Sequence, residues 1–107
     1  MQHLLAQGLA LVERNYRVAR GPSARGAEVD LIMRDRDGTL VFVEVRQRAD
    51  TDHGGAAASI TRGKQRKCIL GAKFYLQTLS VWPPCRFDVV AIDGEDLAWL
   101  PAAFDAS

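Results

Sequence analysis

The sequence predicts an α/β domain, a mixed central β-sheet flanked by helices, and three observations carry that expectation. Two apolar segments, Val29 to Ile32 and Leu40 to Val45, flank a turn signal at Asp37-Gly38 and read as an antiparallel hairpin. Residues 61 to 79 hold the best helical pattern, and Pro83-Pro84 bars its extension. Cys85 to Ile92 is then a largely apolar run that reads as a buried strand. A length of 107 residues, 48% of them hydrophobic, suits one domain over 1–107 with a single core.

Taken in order, residues 2 to 7 read as a short helix ending at Gly8. Leu9 to Arg14 reads as a strand or as a continuation of that helix. Gly21-Pro22-Ser23 and Gly26 bracket a turn before the hairpin, and Arg48 to Ser59 reads as a loop. In the 61 to 79 helix, Gln65, Ile69, Ala72, Leu76 and Leu79 follow spacings of four and three, a stripe that should face the sheet. Asp93-Gly94 marks a turn and Leu97 to Leu100 a last short strand. No repeat, coiled coil or glycine-rich nucleotide loop occurs.

The hairpin places charge where charge is expensive. Alternation puts Glu28, Asp30 and Ile32 on one face of the first strand, and Phe42, Glu44 and Arg46 on one face of the second. Closure about Asp37 sets Asp30 opposite Glu44 and Glu28 opposite Arg46; closure two residues further on sets Asp30 opposite Arg46. Facing carboxylates repel, and burial raises at least one pKa unless a cation intervenes. One remedy is Mg²⁺ or Mn²⁺, held by the acids and completed by water and phosphate oxygens. The other is a cross-strand ion pair of Asp30 or Glu28 with Arg46 that fixes register and does nothing else.

Charge is unevenly spread. Residues 1 to 73 hold 13 Lys or Arg against 8 Asp or Glu, while residues 74 to 107 hold one against five. Arg14, Arg17, Arg20 and Arg25 precede the hairpin, and Arg62, Lys64, Arg66 and Lys67 crowd the helix start. Cations there oppose the helix dipole unless an anion compensates, which a nucleic-acid phosphate would do; a solvated basic face is the plainer alternative. Cys68 and Cys85 lack zinc-site spacing and read as reduced thiols. With no apolar run of bilayer length and no signal pattern at Met1, a soluble, cytoplasmic protein is expected.

The blocks Glu28-Val-Asp30-Leu-Ile, Phe42-Val-Glu44-Val-Arg46, Lys64-Gln65 and Arg86-Phe87-Asp88-Val-Val, in that order, resemble the YraN-type family of bacterial proteins. That family is similar to the restriction-endonuclease-like superfamily, which has an Asp followed by Glu-x-Lys and includes Holliday-junction resolvases. The resemblance implies a restriction-endonuclease-like fold and a metal-dependent nuclease acting on DNA, branched or structured DNA included. It implies Asp30 and Glu44 as metal ligands with the Val45 carbonyl, Glu28 as an accessory, and Gln65 orienting water or phosphate. Arg46 stands where the family has Lys; it can hold a phosphate but stays charged and is a poor general base. The family also begins with a longer helix that in related nucleases carries a Glu. Met1 to Gly8 is too short to contain it, so a truncated first helix is expected.

These departures leave a catalytically impaired nucleic-acid-binding module as the alternative. Arg25, Arg46, Arg62, Lys64 and Lys67 are the candidate phosphate contacts in either case, and a homodimer is a further expectation. His53, Asp50 and Asp52 read as solvated loop residues, Asp88 as a structural hydrogen-bonding group, Tyr75 as packing, and Trp99 as core or an oligomer contact. Trp82 and Trp99 are the aromatics able to stack on bases.

Overall fold

The computed structural model describes residues 2–18, 26–47 and 61–106. Its elements are α1 (Gln2–Ala6), β1 (Ala10–Val18), β2 (Ala27–Arg34), β3 (Leu40–Gln47), α2 (Arg62–Leu76), β4 (Cys85–Asp93) and β5 (Asp96–Phe104). The strands lie in sequence order in one mixed sheet, with β3 and β4 parallel and every other neighbouring pair antiparallel. A parallel pair needs a crossover, and α2 lies within it.

The hairpin closes about Asp37, as the first of the two registers requires: Leu31 faces Val43 and Arg34 faces Leu40. Gly38 takes φ +90°, a left-handed conformation that suits glycine, and Asp37 accepts the Thr39 N–H at 3.0 Å. Helix α1 ends at Ala6, and Gly8 takes φ +98° in the turn before β1 begins at Ala10. That strand runs on to Val18, well past the expected end at Arg14.

Strict alternation fails in β2. Val29 and Ile32 are three apart yet share the α2-side core with Phe42 and Phe87, whereas Leu31 and Met33 join Leu4 on the other face. The partner strand is irregular here too: its register shifts between Leu11 and Glu13, and Asn15 has φ 53° between the paired Arg14 and Tyr16.

Helix α2 starts on Thr61, whose hydroxyl accepts the Lys64 N–H at 3.2 Å. Its buried face is Cys68, Gly71, Ala72 and Leu76, with Ile69 and Leu79 only partly covered. The buried face keeps Ala72 and Leu76 of the expected stripe but is turned toward Cys68 and Gly71, by roughly 45°. Gly71 explains the rotation. A Cβ there would lie 2.8 Å from Val29 Cγ2 and 3.4 Å from the Glu28 backbone, so only glycine lets the helix rest on β2. Gly71→Val is expected to destabilise the fold by about 2 kcal/mol. Thermal melts should show a fall on the order of 8 °C; an unchanged midpoint would mean that the contact is not tight.

Strand β5 also runs longer than Leu97 to Leu100. Between Phe87↔Phe104 and Val89↔Leu100 its register shifts, which accommodates Pro101 and the left-handed Ala102 at φ 52°. Asp88, 0% exposed, accepts the Ala102 N–H and the Trp99 Nε1–H, each at 2.9 Å, and Arg86 Nε at 3.1 Å. Arg86 in turn donates to Asp35 beside the hairpin turn at 2.8 Å. Asp88 thus has the structural role expected of it, and Trp99 packs partly against the α1-side core. Tyr75 packs edge-on against Tyr16 and Phe42. Cys68 is a buried free thiol and Cys85 an exposed one. Among the described residues no helix is long and apolar enough to cross a membrane.

Candidate functional site

Beyond the Leu31–Val43 pair the β2–β3 ladder gives way to a side-chain contact: Asp30 Oδ2 accepts the Val45 N–H at 2.8 Å. The N–H and C=O of a strand residue leave on the same edge, so the Val45 carbonyl also faces the β2 side. Glu28, Asp30, Glu44 and Val45 line one cavity of about 220 Å³, closed from the helix side by Lys64 and Lys67. Asp30 and Val45 also line a neighbouring cavity of about 430 Å³ with Arg14, Asn15, Leu31 and Gln47. The acidic group is therefore open to a ligand larger than an ion.

Both central carboxyls are held toward the neutral form. Glu44 is pushed up from 4.5 to about 7, first by burial and then by the negative charge of Asp30, with Lys64 opposing. Asp30 is also raised, chiefly by burial, while its hydrogen bond from Val45 opposes the shift. Glu28 adds repulsion at both sites. Its own carboxylate pairs across the strands with Arg17 at 3.5 Å, through side chains that are largely open to solvent. That pair contributes little stability.

The cross-strand lock by Arg46 is not formed. Glu28 goes to Arg17, Asp30 goes to the Val45 N–H, and Arg46 Nε is buried without a hydrogen-bond partner. Arg46 acts on Glu44 more weakly than Lys64 does.

The basic residues of α2 divide by helix geometry. Lys64 and Lys67, three apart, turn to the acidic cavity. Arg62 and Arg66, four apart, line a different cavity of about 340 Å³ with Gln65, Ile69, Phe104 and Asp105. Arg25, Asp50, Asp52 and His53 lie outside the described residues.

Among the described residues, no group of three or more His, Cys, Asp or Glu side chains is arranged to hold a metal ion. Two carboxylates beside a strand carbonyl still suit Mg²⁺ or Mn²⁺, which use one or two protein carboxylates and fill the other positions with water and phosphate oxygens. Mutual repulsion in a cavity that admits such ligands is the condition a divalent cation relieves. The donor set fits a hard metal ion and does not fit a zinc site, with Cys68 buried in the α2-side core and its thiol pushed up by that burial.

The sequence reading missed the Asp30–Val45 hydrogen bond, because a carboxylate capping a strand N–H has no periodic signature. Lys64 and Lys67 were expected as phosphate contacts, but not as residues lining one cavity with the acids. Gly71, four residues beyond Lys67, was the available signal, since a glycine inside a helix marks a close backbone approach.

Comparison with known proteins agrees with the blocks that carry the resemblance. A UPF0102 protein of Methylibium petroleiphilum is 63% identical over 107 residues, covering 100% of this chain and 88% of the relative. A second from Cupriavidus taiwanensis is 58% identical over 106 residues, covering 99% and 76%. A third from an Acidovorax species is 55% identical over 107 residues, covering 100% and 79%. The family model described as "Uncharacterised protein family UPF0102" matches residues 1–92, and the chain belongs to that family, the YraN type.

Proposed function

We propose that this chain is a metal-dependent, restriction-endonuclease-like nuclease of the cytoplasm that acts on DNA, branched or structured DNA included. The observation that carries the reading is the pairing of Asp30 and Glu44 in one cavity, both carboxyls raised, under Lys64 and Lys67. Half-buried acids that repel one another in an open cavity are costly to the fold and mark a candidate site. Asp30, Glu44 and the Val45 carbonyl would hold Mg²⁺ or Mn²⁺, with Glu28 as an accessory. The metal supplies electrostatic stabilisation of charge on a phosphoryl oxygen. The Val45 N–H keeps the Asp30 carboxylate aimed into the cavity. The basic residues of α2 attract the phosphate backbone, Lys64 and Lys67 within the cavity and Arg62 and Arg66 beside it.

The alternative is a nucleic-acid-binding module on the same scaffold without hydrolysis, favoured by Arg46 in place of the strand lysine. A cleavage screen with Mn²⁺ over duplex, single-stranded and branched DNA separates the two. The nuclease reading expects cleavage that EDTA and Asp30→Ala both abolish. Salt-sensitive binding without cleavage, unchanged by EDTA, would support the binding module instead.

A further inference from the structure

Resting on the reading of Asp30 and Glu44 as metal-holding carboxylates, we propose that Lys64 of α2, and not Arg46 of β3, supplies the cation that grips a phosphate beside them. Lys64 and the two carboxylates line the same cavity from opposite elements, whereas Arg46 is absent from its lining.

The absence of a direct ion pair supports the assignment. Among the described residues, Lys64 forms no ion pair with Asp30 or Glu44, so the ammonium and the acids face each other across the cavity of about 220 Å³. An ammonium already bonded to the acids would be occupied; one held across a gap leaves room for an anion between itself and a metal. Lys64 also sits in the first turn of α2, where free N–H groups and the helix dipole add positive potential. The stem of Lys64 is flexible and its head compact, which suits reaching over a cavity better than a guanidinium whose Nε is already enclosed.

Gly71 explains how a helix residue comes to stand in for a strand residue. The close rest of α2 on Val29 and Glu28 brings the first two turns of the helix over the end of β2. Lys64 is seven residues earlier, two turns back along the same face.

The test uses the full chain and thymidine 3′,5′-bisphosphate, a phosphate probe that needs no knowledge of the natural substrate. Calorimetry would follow first Mn²⁺ alone and then the bisphosphate with Mn²⁺ present, for the native chain, Lys64→Met, Lys64→Arg and Arg46→Met. Lys64 is exposed, so its variants should melt within about 1 °C of the native chain. Lys64→Met should bind Mn²⁺ at least as tightly as the native chain, because a competing cation has gone. It should bind the bisphosphate more weakly by on the order of tenfold, while Lys64→Arg restores most of that affinity and Arg46→Met leaves it unchanged. Unaltered bisphosphate affinity in Lys64→Met, or a loss confined to Arg46→Met, would overturn the assignment and leave the metal site standing. Native chain that binds Mn²⁺ but no bisphosphate would overturn it equally. No Mn²⁺ binding by the native chain would overturn the metal site itself, and the Lys64 assignment with it.

Discussion

Glu44→Gln is expected to abolish divalent-metal binding and, in metal-free buffer at pH 8, to raise the melting temperature. The native carboxyl titrates at about 7 in the folded chain against 4.5 unfolded, so the folded state holds the extra proton between those values. A raised carboxyl makes its favourable contribution below the unfolded value and loses it as pH rises through the folded one. Metal-free native protein should therefore lose stability from about pH 4.5 to 7 and level off above. Glutamine cannot ionise, so the variant should lack this decline. After allowance for solvent screening, about 1 kcal/mol of relief corresponds to a gain on the order of 4 °C. With Mn²⁺ added, the native chain should gain stability by linkage and the variant should not. Melts across pH with and without metal check both halves. A variant that loses the pH-dependent decline but still responds to Mn²⁺ would separate the repulsion from the metal.

Asp88→Ala carries the largest expected loss of stability, about 3–5 kcal/mol. The carboxylate is 0% exposed, and its removal leaves Arg86, the Trp99 indole and the Ala102 N–H without their shared acceptor. Arg86 keeps Asp35, whereas Ala102 sits at φ 52° in an irregular stretch of β5 that its bond to Asp88 holds. Thermal melts should show a midpoint lower by on the order of 12–20 °C. Asp88→Asn, which keeps an acceptor of the same shape, should lose less. Equal losses in both variants would indicate that the charge toward Arg86 dominates over the hydrogen bonds.

The hairpin was legible because its signals were local. Asp37-Gly38 marked the turn and left two closures of the same parity, either of which keeps Asp30 and Glu44 on one face; the structure takes the first. Their common cavity follows from that register and not from strict alternation, which Val29 and Ile32 violate. The α2 face was misread because apolar side chains were counted and Gly71 was not. A contact made by the lack of a side chain is invisible to a hydrophobic pattern. That rotation turns Lys64 and Lys67 toward the acids, while Gln65 lines another cavity. Strand β5 was cut short at Pro101, since a proline ends most strand patterns; Asp88, fourteen residues earlier, satisfies the irregular stretch that accommodates it.

The claim that Asp30 and Glu44 form a metal site is tested most directly by calorimetric titration of the native chain and Asp30→Ala with Mn²⁺, at pH 6 and pH 8. Because Glu44 titrates at about 7, one-site binding should be tighter at pH 8 by on the order of tenfold. At pH 6 the metal should displace roughly 0.9 proton, read from buffers of different ionisation heat. Asp30→Ala should weaken binding on the order of 100-fold or more, since even residues that only support metal ligands cost 10–100-fold. No binding by the native chain at either pH, or equal binding in Asp30→Ala, would contradict the account.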